Sequence, residues 1–404
     1  MRNRSLIIAV AAFASCAAPA LGQSAPTTVG FAGVRSAGLV QDARSLEWTV
    51  TFDHGISGRG VASARRGACL ELSTPHGSGV EEEVCLSSTA KRGSRLTLTQ
   101  TRWHGSTVGG TRPLSGTVTR SDHGHTVTAS FTPTALGLPY RSVRWQVRSE
   151  ARGAQCPSTL VNGRTERLCA VDFPAHRALL ARLHTPQLVG CVPAGPSLVY
   201  NGPTDKREIA LSFDDGPWSD PPTIDFVNEL KKLGVTGTFF EIGEQIPEFD
   251  PTGAVERAML ADGDMIGNHT WTHPEMTTLS PAQQTSELEQ TNEAIHHATS
   301  FTPCLWRPPY GATSPALESL ARSLGMLTIM WNIDPRDWAL PGTGSIVATV
   351  LKEAQNGGIT EMHFGGGPRE ETLDALPQIV SDLRARGYRF VNLVQMLGLR
   401  EVWR

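Results

Sequence analysis

Before about residue 185 apolar and polar positions simply alternate, whereas from about residue 204 short apolar runs alternate with amphipathic segments at helical spacing. In the first part the alternation predicts short strands over 45–52, 68–73, 95–101, 117–119, 125–131 and 142–148, separated by Gly- and Ser-rich turns such as 105–110. Many short strands with turns between them predict an all-β, sandwich-like domain over 23–185. Helical periodicity occurs there only over 175–183. Trp48, Trp103 and Trp145 lie in or beside these strands, and tryptophans in such places more often build a core than a sugar-binding face. His54, His76, His123 and His125 stand in no ligand pattern and read as solvated loop residues.

The Pro- and Gly-rich stretch 186–203 reads as a linker. Over 204–404 the apolar runs predict strands at 209–213, 235–240, 264–268, 305–307, 326–333, 359–363 and 389–393. Helices are predicted between them at 222–233, 254–260, 281–297, 316–324, 345–355 and 370–386. Pro222 and Gly234 bracket the first helix, in keeping with proline at helix starts and glycine just past their ends. Ser280-Pro281-Ala282-Gln283 is a capping box that opens the third, and His296 and His297 fall on its last turn as surface residues. Strand and helix in alternation imply a barrel of parallel strands with its chemistry at their C-terminal ends.

Five runs stand where predicted strands end. They are Ser212-Phe213-Asp214-Asp215-Gly216-Pro217, His269-Thr270-Trp271-Thr272-His273, Arg307-Pro308-Pro309-Tyr310, Asp334-Pro335-Arg336-Asp337-Trp338 and Glu361-Met362-His363. Two adjacent carboxylates closing a buried strand are costly unless something positive compensates them. Asp, Gly and Pro are also the ordinary turn residues, so the first run alone fits a surface turn as well as a site. His269 and His273, four apart, are expected on one face of a helical turn. Two imidazoles and one carboxylate make a metal ligand set that leaves a position open for water. With 12 histidines in the chain, one such pair can arise by chance; the order of all five runs carries more information than any one of them.

In that order and spacing the runs resemble the five motifs of the polysaccharide deacetylases of the NodB-homology type, carbohydrate esterase family 4, which read T-F-D-D-G, H-[ST]-x-x-H, R-x-P-Y, D-x-x-D-W and L-x-H. The resemblance spans about 199–397, half the chain, and implies a distorted (β/α) barrel of seven or eight strands. It implies that Asp215, His269 and His273 hold a divalent metal, zinc first, with cobalt or nickel also suited to such ligands. Asp214 is then the general base and Arg307 its ion-pair partner. Pro309 stiffens the loop from which the Tyr310 backbone N–H stabilises an oxyanion. Trp338 forms a pocket wall or, equally, is a plain core tryptophan; His363 is the general acid, and Asp337 holds His363 protonated and oriented. Asp334 reads as a turn or cap residue. The fifth run departs from the motif. Glu361 stands where the family has an apolar residue lining the acetyl methyl pocket, and Phe364 stands where it has an aspartate. Residues two apart on a strand share a face, so Glu361 is expected to point inward beside His363, to need a partner, and to narrow or polarise the pocket. Ser212 for threonine is a minor change.

At 404 residues two domains are the default expectation. Residues 1–22 carry Arg2 and Arg4, an apolar run and Ala20-Leu21-Gly22, the pattern of a secretory signal peptide. A lipoprotein anchored at Cys16 is the lesser alternative, and no other apolar stretch is long enough to span a bilayer. Loss of the two arginines takes the net charge from −3 to −5, and no basic patch suggests a nucleic-acid partner. Seven cysteines less Cys16 leave six, an even number that reads as disulfides in a secreted chain. Sequence locality suggests Cys69–Cys85, Cys156–Cys169 and Cys191–Cys304. The expected function is a secreted, metal-dependent deacetylase of N-acetylglucosamine glycans such as peptidoglycan or chitin-like polymers. Alternatives are an acetyl xylan esterase, a catalytically impaired carbohydrate-binding or cell-wall protein, and an adhesive role led by the N-terminal domain. No residue pattern indicates an oligomeric state.

Overall fold

The structure, a computed structural model, describes residues 178–404 continuously and, before them, 23–24, 34–52, 66–75, 79–88, 95–105, 107–137, 142–152, 158–161 and 164–173. The expected signal segment, Cys16 and the Cys156–Cys169 pairing lie outside the described residues. The chain divides into two compact units, 1–186 and 187–404.

The first unit is built from antiparallel strands in two sheets. One runs in the order Gln23–Ser24, Val34–Asp42, Ser45–Phe52, Thr126–Phe131, Thr117–Ser121. The other runs Ser158–Val161, Arg164–Phe173, Val143–Arg152, Arg66–Ser73, Glu82–Ser88, Leu96–His104, Thr107–Leu114. Inward residues of both sheets, among them Trp48, Val50, Leu70, Trp145 and Val147, form one core cluster, so alternation has done what it predicts. Trp48 and Trp145 are buried, while Trp103 is half-buried. Two expectations fail here. The helical periodicity of 175–183 gives way to a strand, Leu179–Ala181, paired with Val143–Trp145, because an open sheet edge offers backbone partners that a short helix lacks. The glycine-rich stretch expected as a turn is largely strand, Thr107–Leu114. Cys69 and Cys85, opposite one another in register, are disulfide-bonded.

The second unit wraps helices around a parallel sheet. Its strands run Leu198–Val199, Leu327–Ile329, Leu305–Trp306, Met265–Asn268, Gly237–Glu241, Glu208–Gly216 and Gly358–Ile359, with Met362–His363 and Arg389–Phe390 also paired to Glu208–Gly216. An isolated parallel bridge between Ile333 and Thr360 joins the two sides of the sheet, which curls it into a distorted barrel. Glu208–Gly216 is central, and every residue of it but Asp215 is buried, as a strand covered on both faces requires. Pro222 caps the helix Thr223–Leu233, and Gly234 ends it in the left-handed conformation. Ser280 and Gln283 make the reciprocal capping box of Pro281–Thr299. The segment 186–203 is no free linker: Leu188–Val192 pairs with Arg400–Trp403 and Leu198–Val199 with Leu327–Ile329. Cys191 and Cys304 are disulfide-bonded. The predicted strand 389–393 stops at Phe390, and Asn392 caps a short helix, Leu393–Met396. No described helix is long and apolar enough to cross a membrane.

Asp264 lies at the foot of this sheet, 1% exposed. Its Oδ1 accepts the Gly237 N–H at 2.7 Å. Burial, opposed by that hydrogen bond and aided by Asp262, pushes its carboxyl from 3.8 to about 7. A folded-state value above the unfolded one means that the fold holds this proton more tightly. The stabilisation is therefore complete below the unfolded value and is lost as pH rises through about 7. Asp264→Asn keeps the acceptor and removes the titration. Each tenfold difference in proton affinity between folded and unfolded chain is worth about 1.4 kcal/mol. The variant is accordingly expected to melt a few degrees above the parent at pH 8 and level with it at pH 4. Equal melting at both pH values would mean that the carboxyl titrates normally.

Candidate active site

The site grows from the C-terminal end of Glu208–Gly216. The strand is regular to Asp214, and its register with Gly237–Glu241 then shifts. Asp215 has φ 74°, and the irregularity re-aims its side chain. Both aspartates consequently face one centre: His269 Nε2 lies 3.3 Å from Asp215 Oδ1 and 4.0 Å from Asp214 Oδ2. The turn that follows is closed from behind by glycines, since a Cβ at Gly365 would collide with the Asp215 carbonyl. Phe364 is fully buried against Phe226 and Phe239. It is a core residue, not a group of the site.

His269 and His273 do not share a helical turn. Met265–Asn268 runs into a loop in which Thr270 and His273 have φ 71° and 59°. Residues elsewhere hold that loop. Asn268 Oδ1 accepts Thr270 N–H at 2.8 Å while its amide donates to Leu288 O and Asn292 Oδ1. Glu287 Oε2 accepts the N–H groups of Trp271 and Thr272, each at 2.8 Å. The rings still come together, with centroids 4.9 Å apart.

Asp215 Oδ1 is buried and has no hydrogen-bond partner among the described residues. It lies 3.3 Å from His269 Nε2 and 3.1 Å from His273 Nε2. His269 Nδ1 stands 2.8 Å from the Arg307 carbonyl, which can only accept, so Nδ1 carries a proton and, in the neutral form of the ring, the Nε2 lone pair is the one turned toward the carboxylate. Lone pairs converging on one point in this way fit a cation between them, and the three atoms form a cluster that can hold a metal ion. Burial alone would raise the Asp215 carboxyl; the imidazoles of His269 and His273 overturn that and hold it well below the usual carboxylate range.

Arg307 is fully buried. Its Nη1 donates to Asp214 Oδ1 and its Nη2 to Ser212 Oγ, both at 2.8 Å, and it lies over the Phe240 ring at 4.3 Å. The Ser212 hydroxyl in turn donates to Thr360 O, so that serine orients the arginine. On the opposite wall His363 Nδ1 and its backbone N–H each meet one Asp337 oxygen at 2.8 Å, and Thr372 donates to the second of these oxygens at 2.7 Å. Burial works against charge on His363, but Asp337 first, then Asp215 and Asp214, raise it to about 9. At the rim Pro309 is buried and Tyr310, at φ 59°, is 71% exposed, its ring 4.8 Å from that of His273. Trp338 is 47% exposed, with the Arg336 guanidinium over its ring at 5.0 Å. Asp334 caps its own turn by accepting Arg336 N–H at 2.9 Å.

Glu361 points inward. One of its carboxylate oxygens, an Asp214 oxygen and a His363 ring nitrogen lie within 4.8 Å of one another. The expected continuous strand 359–363 is broken at Thr360 and Glu361, where the Ile333 bridge crosses. Burial, then Asp214, push the Glu361 carboxyl up to about 8 despite His363 and Arg307.

A buried carboxylate paired with arginine, a histidine paired with aspartate, and an Asp–His–His cluster between them thus stand together at the strand ends of a β/α barrel. The family described as polysaccharide deacetylase matches residues 201–329. Peptidoglycan-N-acetylglucosamine deacetylase of Bacillus cereus is 35% identical over 208 residues, covering 50% of this chain and 92% of the relative. Chitooligosaccharide deacetylase of Rhizobium leguminosarum is 34% identical over 203 residues, 48% of this chain and 93% of the relative. Peptidoglycan-N-acetylglucosamine deacetylase PgdA of Listeria monocytogenes is 33% identical over 195 residues, 48% of this chain; the match spans only 40% of that relative's length. The chain belongs to the polysaccharide deacetylase family.

The Asp337–His363 pair gives a direct test. In chelated protein the His363 ring protons, followed by NMR, are expected to titrate near 9. In Asp337→Asn they are expected to fall toward the ordinary imidazole range near 6.5. A midpoint unmoved by the substitution would show that the neighbouring aspartates, not Asp337, hold the charge.

Proposed function

We propose that this protein is an extracytoplasmic, divalent-metal-dependent N-deacetylase of N-acetylglucosamine-containing glycans. The observation that carries the reading is the convergence of Asp215 Oδ1, His269 Nε2 and His273 Nε2 within 3.3 Å of Asp215, flanked by the Asp214–Arg307 and His363–Asp337 pairs. Asp215, His269 and His273 would hold the ion, with zinc the first choice for such ligands; when bound, it polarises the amide carbonyl and acidifies a water. Asp214 Oδ2, the oxygen that Arg307 leaves free, takes the proton from the attacking water. The Tyr310 backbone N–H would stabilise the charge that develops on the carbonyl oxygen. His363 Nε2 gives its proton to the departing amine while Asp337 holds Nδ1. An amine leaves only once protonated, so an acid raised to about 9 favours an amide over an ester substrate such as acetylated xylan. The exposed Trp338 and Tyr310 rings offer faces on which sugar rings stack. Two disulfides among the described residues accord with an oxidising compartment.

Acetate release from N-acetylglucosamine oligomers, peptidoglycan and acetylated xylan tests the reading, alongside metal content. The parent protein is expected to carry about one divalent ion and to release acetate from the amide substrates, in a manner abolished by chelation and restored by zinc. His273→Ala is expected to lose both ion and activity. Asp214→Asn should keep the ion and lose roughly 10²–10⁴-fold in rate. Release that survives His273→Ala, or faster release from xylan, would overturn the assignment.

A further inference from the structure

Glu361 has no part in that reaction, yet its carboxyl sits inside the site. It is 9% exposed, and it lies beside both the base candidate and the acid candidate. No side-chain hydrogen bond or ion pair engages it among the described residues. Its place is not accidental, because its backbone N–H donates to Ile333 O at 2.9 Å, within the bridge that joins the two sides of the barrel. A ligand that fills the site would strip water from this carboxyl, at a cost in free energy that the ligand offsets only by supplying a hydrogen-bond partner.

Depth identifies which part of the substrate meets Glu361. A polysaccharide laid across the rim would meet Tyr310 and Trp338, 71% and 47% exposed. On that placement the acyl group is the part of the substrate that would reach the depth of Asp214, 2% exposed, and the fully buried Arg307. A methyl group placed against the Glu361 carboxyl would desolvate it and return nothing. The charged groups around Glu361 are already paired, Arg307 with Asp214 and His363 with Asp337, so an ammonium or a carboxylate on the acyl chain would be desolvated there without an unpaired counter-charge to meet it. A small neutral group that both donates and accepts fits in their place, and a hydroxyl on the acyl α-carbon is the smallest such group.

We propose that Glu361 makes this site selective for hydroxyacyl amides, N-glycolyl sugars above N-acetyl sugars. This rests on the deacylase reading above and narrows it. The chemistry is a plain hydrolysis. Water oxygen bonds the carbonyl carbon, the C–N bond breaks, the amine takes the proton, and glycolate leaves with its hydroxyl intact.

Oligomers of N-glycolylglucosamine and N-acetylglucosamine of equal length provide the test, in turnover with the parent protein and in calorimetric binding to Asp214→Asn. The glycolyl oligomer is expected to bind and turn over about tenfold better, as one satisfied buried hydrogen bond allows. Glu361→Leu is expected to reverse the ratio toward acetyl by tenfold or more. Equal binding of the two oligomers, or an acetyl preference in the parent protein, overturns the inference without need of the variant. A glycolyl preference in binding with no turnover of either oligomer by the parent protein would instead overturn the hydrolase reading and leave the selectivity standing.

Discussion

The site depends on one buried cation. Arg307 has no access to water, and a guanidinium so placed is tolerable only if nearly every donor is met. Asp214, Ser212 and the Ile329 carbonyl each take a hydrogen bond from one of its three nitrogens, and the Phe240 and Trp331 rings cover its faces. The same residue acts twice more through its backbone. Its carbonyl faces His269 Nδ1, and its N–H donates to Asn268 O at 2.9 Å. One residue thus orients the base candidate, sets the tautomer of a ligand candidate, and ties the histidine loop to the next strand. Lysine could supply charge here but not the fork that reaches Asp214 and Ser212 together.

Around that cation the fold crowds like charges that separate only because their partners differ. Asp214 answers to Arg307, Asp215 to two imidazoles, and Asp337 to His363 and Thr372. Environments that push neighbouring groups apart in proton affinity are what acid–base chemistry needs. The backbone takes up part of the cost. Asp215, Thr270, His273 and Tyr310 all have positive φ, a conformation that side chains other than glycine seldom adopt and that packing must enforce.

Much of this was legible in the sequence, and the reason is locality. A motif such as Asp214-Asp215-Gly216-Pro217 carries its turn and its chemistry in adjacent residues, and Ser280 to Gln283 carries its own cap. What the sequence hid is non-local. Glu287 holds a loop 15 residues away through Thr272, Thr372 meets Asp337 across 35 residues, and Ser212 reaches Arg307 across 95. The i, i+4 spacing of His269 and His273 promised a helix, but Asn268 and Glu287 hold the backbone in another path that still brings the rings together. The strand through Glu361 read as continuous because periodicity cannot register a bridge from Ile333.

The hydrophobic pattern also concealed a second set of acids. Glu241 closes the strand after Phe239 and Phe240, and Glu256 lies in the helix Ala254–Asp262; both are fully buried. The Glu241 carboxyl has no hydrogen-bond partner among the described residues, and Glu256 has the Asp250 carboxyl beside it. Burial first, and then Asp250, raises Glu241; burial, then Glu241 and Asp250, push Glu256 up to about 11. The pair is therefore neutral in the fold, behaving as polar filling where aliphatic side chains would pack more cheaply. The Glu241 carbonyl accepts the His269 N–H at 2.8 Å, so the histidine loop hangs on the strand end that carries one of these acids.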